Sequence, residues 1–308
     1  MQNIAQKKYI FPDEFQLKIY KQNTRESVDE LNEVDLYQRW REKEQHLGLQ
    51  VNAIKNRFEF INLINKNDKI LEIGPFVNPI IMGEGIKYAD VLNREKLIER
   101  AVRGGRKFNF VPEIDYVIPD MDLKIIEEKF DSIVSSHCIE HQPNLIAHLQ
   151  DIERILNDGG SYFLIIPDKR YCFDRYLPCT TIADVVEAFY EKRKTHSLKN
   201  IIMHRALTTH NNPSIHWENS INAKKCVESN NTSMPNAIKI KSAIDEWEGN
   251  VNEYIDVHSM FFSPEIFREI IQLLGELKFT NLYVDKIYHT NYGAIEFFAI
   301  LSKKIKIK

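Results

Sequence analysis

Between residues 69 and 168 the chain runs through five short apolar stretches: KILEIG (69–74), IKYAD (86–90), IDYVIPD (114–120), FDSIVSS (130–136) and SYFLIIPD (161–168). Each is closed by glycine, proline, serine or aspartate, and such bounded runs read as buried strands. Between them, NREKLIERAV (93–102) and NLIAHLQDIERIL (144–156) carry apolar residues at helical spacing. Strands that alternate with helices pair in parallel, because each crossover must travel back along the sheet, and the helices then cover its faces. The rhythm resumes in SPEIFREIIQLLGELKF (263–279), where Ser263 suits a helix N-cap and Pro264 the first turn. Two strands follow, NLYVDKIYHT (281–290) and AIEFFAILSKK (294–304). The fold class expected is α/β.

Flanking that rhythm, residues 1–66 are polar, with helical spacing in VDELNEVDLYQRW (28–40) and NAIKNRFEFINLI (52–64). Residues 172–256 interrupt the strand series, are rich in His, Asn and aromatic side chains, and contain one helical patch, IADVVEAFYEKRK (182–194). We read three parts: an N-terminal helical segment (1–66), a main domain (67–308), and an insertion or cap (172–256) within it. No repeat of fixed period is present, which excludes a solenoid.

A net charge of -3 gives no global basic field, so a nucleic-acid partner is disfavoured. The lysine-rich KKIKIK at 303–308 reads as a solvated tail. Four cysteines without a C-x-x-C pair argue against a disulfide framework and a thiolate zinc site. The first fifteen residues lack a signal-peptide core, and no segment has the roughly 18 consecutive apolar residues of a membrane span. A cytoplasmic location is expected.

Chemistry concentrates at the carboxyl ends of the strands. Glu72 and Gly74 close the first strand in LEIGPFVNPI (71–80), where glycine lets the backbone approach a ligand. Asp90 ends the second strand, a position from which a carboxylate accepts hydrogen bonds from a ribose diol. A G-x-G-x-x-G phosphate turn is absent, since Pro75, Phe76 and Val77 follow Gly74, and this favours a ribosyl cofactor without pyrophosphate.

The series LEIGPFVNPI, YADVLN, DYVIPDMDL, FDSIVSSHCIEH and LNDGGSYFLIIPDKRYCFD resembles the class I S-adenosylmethionine-dependent methyltransferases, and most nearly bacterial enzymes associated with polysaccharide and surface-glycan biosynthesis. The resemblance covers residues 66–175 and resumes at the last two strands. It implies a Rossmann-like, mostly parallel sheet with an antiparallel last strand, S-adenosylmethionine as cofactor, and a small-molecule or glycan acceptor. It also implies that Glu72, Gly74 and Pro75 hold the amino-acid end, that Asp90 with Val91 meets the ribose, and that Asp120 and Met121 flank the adenine. Ser136 and His137 would approach the sulfonium. Of the family's glycine-rich turn only Gly74 remains, which keeps a non-catalytic cofactor-binding module among the alternatives.

His137, Glu140 and His141 have the H-x-x-E-H spacing of a zinc-dependent hydrolase. That motif needs a helix so that residues four apart share a face, whereas here a strand precedes it and Pro143 stops a helix. Two roles fit a methyltransferase. His141 or His137 can act as general base toward an acceptor hydroxyl. Alternatively, His137, Glu140 and His141, with His258 as a fourth ligand, can bind a divalent metal. The resemblance supports this second role, because some O-methyltransferases acting on RNA or on small molecules carry E-x-x-E-H after the same strand. With nitrogen ligands the site would favour zinc, iron or manganese. After the fifth strand, Asp168 is a further catalytic candidate, and Arg170 and Tyr171, with His258, are placed to meet the acceptor. A loop ion pair joining Asp168 or Asp174 to Arg170 is the competing account. His204, His210 and His216 have no ligand spacing and read as unrelated surface residues.

Overall fold

A computed structural model describes residues 14–24, 27–28, 30–221, 237–250 and 253–304. Most of the N-terminus expected to lack a signal peptide, the interval from 222 to 236, and the end of the lysine-rich tail lie outside the described residues.

Seven strands form one sheet in the order β3-β2-β1-β4-β5-β7-β6. In chain order they are β1 (Ile70–Ile73), β2 (Lys87–Asp90), β3 (Tyr116–Val117), β4 (Phe130–Ser136), β5 (Leu156–Pro167), β6 (Leu282–Tyr288) and β7 (Glu296–Lys303). β1 to β5 pair in parallel, and β7 runs antiparallel between β5 and β6. The parallel part is what the strand series predicts, and the Rossmann-like whole with its antiparallel last strand is what the resemblance implies. The winding direction changes between β1 and β4, and at such a switch point the connections leave to opposite faces and open a crevice.

Period-two alternation along the strands makes both faces apolar. Leu71, Ile73, Ile133, Tyr162, Leu164, Ile166, Phe297 and Ala299 point to one side, where Leu149 and Ile152 of helix Leu145–Ile155 and Phe267 and Ile271 of helix Pro264–Glu276 pack. Ile70, Val134, Phe163, Ile165, Phe298 and Ile300 point to the other, under Phe60 of the short helix Arg57–Ile61. Ser263 caps its helix as expected, accepting from Ile266 N–H.

Three expected elements are shorter than their patterns. The third strand shrinks to Tyr116–Val117, because it sits at the sheet edge with one neighbour and Pro119 cannot donate to a ladder. The helices expected over 28–40 and 52–64 start at Glu33 and Arg57, where the Asn32 and Asn56 side chains take the N-cap role.

Between β5 and helix Pro264–Glu276 the described residues form the helices Ile182–Tyr190, Leu198–Ala206, Pro213–Ile221 and Ala237–Gly249. The second and fourth pack through Ile201 and Ala243, together with Ile255 and Val257 beyond them. From there the chain returns to the sheet: Ser259 N–H and Met260 N–H both donate to Glu140 O, at 2.8 and 3.1 Å. Those bonds bring Asp256 and His258 to the end of β4. No described helix is long and apolar enough to cross a membrane.

Candidate active site

At the end of β1 the backbone turns through Gly74 (φ 71°), and a Cβ there would lie 2.2 Å from Cys138 Sγ, so the turn admits only glycine beside the β4 loop. Asp90 and Glu72 hold the segment that follows from its two ends. The Asp90 carboxylate accepts Phe76 N–H at 3.0 Å, with the N–H groups of Val91 and Leu92 also directed onto it. The Glu72 carboxylate accepts Ile80 N–H at 2.9 Å and Ile81 N–H at 3.2 Å. Both carboxylates are buried, and burial pushes Glu72 up to about 8 and Asp90 up to about 6 against those backbone donors. Pro75 starts the segment and Val91 lies half-buried beside Asp90.

Beyond β3, Ile118 O accepts Met121 N–H at 2.8 Å in a turn that gives Met121 a φ of 56°. Asp120 is exposed and Met121 half-buried. Both line a cleft of about 570 Å³ whose other walls include Pro143, Asn144, Phe189 and Tyr190. Glu72 and Asp90 are not among the residues that line it.

β4 releases its chain at Ser136. His137 then takes a left-handed conformation (φ 53°) and turns its Nε2 to Glu296 Oε2 at 2.8 Å, with Arg57 Nη2 3.1 Å away. Arg57 also grips Glu296 with two contacts, at 2.6 and 2.5 Å. Although burial would raise it, the Glu296 carboxyl is held low by His137 and Arg57.

Ile139–His141 is a single 3-10 turn, with extended backbone at Gln142 before Pro143. This is not the helix a zinc-hydrolase motif requires. It nonetheless brings Glu140, His141 and His258 together. Glu140 is fully buried and neither carboxylate oxygen has a hydrogen-bond partner. Its Oε1 lies 3.7 Å from His137 Nδ1, 3.8 Å from His141 Nε2 and 3.8 Å from His258 Nε2. His258 Nδ1 is hydrogen-bonded to Asp174 Oδ2 at 2.7 Å, and His141 Nδ1 makes an ion-pair contact of 2.9 Å with Asp256 Oδ1 without hydrogen-bond alignment. Asp256 also meets Arg100, on the helix that follows β2. Burial opposes a charge on His141, yet Asp256 and Glu140 raise its pKa.

The group expected to meet an acceptor after β5 is placed elsewhere. Asp168, a catalytic candidate, is fully buried, paired with Arg170 at 2.7 Å and accepting from Thr290 Oγ1 at 2.7 Å. Arg170 is thereby committed to Asp168, with Glu265 3.6 Å away, which is the ion-pair account rather than the acceptor one. Tyr171 is buried and stacked on Trp217 at 3.6 Å, so its ring has no face left for a sugar. Asp174, the other expected partner of Arg170, belongs to His258. His204 is not a bystander either, since its Nδ1 accepts His258 N–H at 3.0 Å.

Sequence reasoning missed Asp256, Arg57 and Glu296. Asp256 stands two residues before His258 in IDVH, a hint that becomes readable only once His258 is known to reach β4. Arg57 and Glu296 meet across 239 positions, which no local pattern reports.

The chain matches the model of a family described as "Methyltransferase domain" over residues 49–275. No curated protein matches it in sequence. Among solved structures it is similar to an S-adenosylmethionine-dependent methyltransferase of Thermotoga maritima (TM-score 0.37, 15% identity, 88% of this chain and 96% of that one). It is also similar to TehB of Haemophilus influenzae (TM-score 0.36, 11% identity, 82% and 63%). A third similar structure is the CurJ carbon methyltransferase (TM-score 0.37, 10% identity, 80% and 51%), about half of whose length the chain spans. Likenesses of this degree say nothing of substrate.

Proposed function

The chain belongs to the methyltransferase domain family and is an S-adenosylmethionine-dependent enzyme, and from that premise we propose that it methylates a hydroxyl oxygen of a sugar or sugar phosphate in glycan assembly. The observation that carries the oxygen acceptor is the buried Glu140, His141 and His258 cluster, joined to the Gly74 turn through Cys138, whose Sγ lies 3.3 Å from Ile73 O. Proton-accepting side chains beside the methyl-donor crevice serve an acceptor that must lose a proton as it is alkylated. The sugar class rests on the family resemblance, and a cytosolic site of action on the sequence pattern of the N-terminus and the cysteines.

S-Adenosylmethionine supplies an electrophilic methyl group on a sulfonium. The residues of the rim fit it. An ionised carboxylate offers about four acceptor positions, of which three backbone N–H groups occupy at most three at Asp90, leaving room for a ribose hydroxyl. Gly74 lets the nucleoside lie close to the turn, with Pro75 and Val91 flanking it, and Met121 gives the adenine an apolar contact beside Asp120. Ser136 and His137, at the end of β4, would approach the sulfonium. The protein's part is alignment, exclusion of water and removal of one proton. His141 takes that proton in the simplest version, its basicity raised by Asp256 and Glu140. A metal-assisted version is favoured by one observation, the partnerless Glu140 carboxylate.

In this reading the catalytic domain spans residues 67–308, the described helices between residues 172 and 256 cover the acceptor, and of the N-terminal segment Ile54, Phe60 and Ile64 brace the sheet. The test is incubation with methyl-labelled S-adenosylmethionine and panels of free sugars, nucleotide sugars, amines, thiols and RNA, analysed by mass spectrometry. A methyl ether formed on one of the sugar classes is the expected result. Transfer confined to nitrogen, sulfur or RNA acceptors would overturn it.

A further inference from the structure

We infer that Glu140, His141 and His258 form a binding site for a divalent transition-metal ion, with Asp256 and Asp174 as the carboxylates that orient its two histidines. The three donor atoms all lie within 4.8 Å of one another, and Glu140 Oε1 stands 3.8 Å from each Nε2. Donors about 2.1 Å from a shared ion in tetrahedral geometry stand roughly 3.4 Å apart, so the two Glu140–histidine separations need to contract by a few tenths of an ångström, and the two histidine nitrogens have to close from a separation of at most 4.8 Å.

The hydrogen-bond pattern argues for a cation at that point. His258 Nδ1 faces Asp174 and His141 Nδ1 faces Asp256, at 2.7 and 2.9 Å. A proton on His258 Nδ1 serves Asp174 Oδ2 and leaves its Nε2 lone pair on the side of Glu140 Oε1; a neutral His141 with its proton on Nδ1, toward Asp256, does the same, and an ionised Glu140 adds only lone pairs. Three electron-rich atoms then converge around the fully buried Glu140 carboxylate at distances too long for hydrogen bonds. A shared cation removes that repulsion, and carboxylate–histidine–metal chains are how proteins orient such ligands.

Two imidazole nitrogens and one carboxylate oxygen suit zinc, iron or manganese better than magnesium or calcium. His137 stays outside the donor set because its Nε2 is taken by Glu296. Asp174, His204 and His258 also lie close enough to be donors, but they are already joined by hydrogen bonds, so they belong to the outer layer of the same site. The site draws on both the turn after β4 and the irregular segment that returns from the insertion, so the ion would clasp the two. That an acceptor oxygen takes an open position on it, with His141 a ligand instead of the base, rests on the transferase reading; metal binding itself does not.

The test is metal analysis of the full chain, stripped with chelator and then dialysed against zinc, manganese or ferrous iron, by inductively coupled plasma mass spectrometry, with cobalt(II) absorption reporting the ligand field. One equivalent of metal is expected, with affinity weakened more than about 100-fold in Glu140→Gln and His258→Ala and about 10- to 100-fold in Asp174→Asn. Circular dichroism and calorimetric S-adenosylhomocysteine binding, expected to match wild type in these variants, verify folding. No stoichiometric uptake of any of these metals by wild type, or uptake unchanged in folded Glu140→Gln, overturns the inference. Metal uptake without methyl transfer to any sugar leaves the site standing and removes the sugar-acceptor reading instead.

Discussion

Glu72 and Glu140 are both buried glutamates at neighbouring strand ends, yet one is satisfied and the other is not. Glu72 receives two backbone N–H groups from the segment it shapes. Glu140 receives none, although three histidine nitrogens stand within 3.8 Å of its Oε1. A buried carboxylate tied to its own loop is part of the fold's architecture, whereas one left open in a shell of imidazoles is waiting for something outside the chain. The β1 and β2 rim shapes a turn around which a nucleoside can settle, and the β4 end presents reactive groups.

That contrast predicts opposite responses to removing the two carboxyl groups. Glu140→Gln should lower methyl transfer by about 10²- to 10³-fold, within the range of lost acid–base or metal assistance, while cofactor affinity stays unchanged. In chelator-stripped protein the same change should leave unfolding in urea unaltered or raise its midpoint, because an uncompensated buried charge disappears. Glu72→Ala should do the reverse and destabilise by about 2–4 kcal/mol in the same unfolding experiment, since two buried N–H donors lose their acceptor. Equal destabilisation by both changes would erase the distinction.

Smaller effects sharpen the rim itself. Asp90→Asn should weaken S-adenosylmethionine binding about tenfold in calorimetry, the worth of one hydrogen bond to a charged acceptor. Its pH behaviour follows from burial, which raises the carboxyl from its ordinary 3.8 to about 6. A folded value above the unfolded one means the cofactor-free fold favours the protonated acid, so this stabilising contribution is complete below the unfolded pKa and is lost as pH rises through about 6. Ribose hydroxyls donate to the ionised form, so binding should release a fraction of a proton and affinity should climb up to about pH 6 and then level off. Titrations in two buffers of unequal ionisation heat measure that release, and Asp90→Asn should abolish it.

Much of this was legible from letters alone. Apolar runs closed by turn residues gave the sheet, because a strand buried on both faces has no way to disguise its composition. Ser263 and Pro264 marked their helix because capping is local chemistry. Glu72, Gly74 and Asp90 stood out because strand ends on one edge of a parallel sheet share a crevice. The acceptor side was not legible. Asp168, Arg170 and Tyr171 follow β5 at a ligand-facing position, yet Thr290 and Trp217, from distant segments, claim two of them for packing. Asp256 and Asp174 acquire meaning only through His258, which the insertion carries back over more than eighty residues. The edge strand and the N-terminal helices were overestimated because periodicity does not register the asparagine caps or the absent second neighbour.

The central claim is that the rim of Glu72, Gly74 and Asp90 seats the nucleoside so that its sulfur faces the Glu140 cluster. A crystal structure with S-adenosylhomocysteine tests this most directly. The account predicts ribose hydroxyls against Asp90, adenine beside Met121, and the sulfur beyond Ser136 and His137. A nucleoside lodged in another cavity, or one whose sulfur points away from the end of β4, would contradict it.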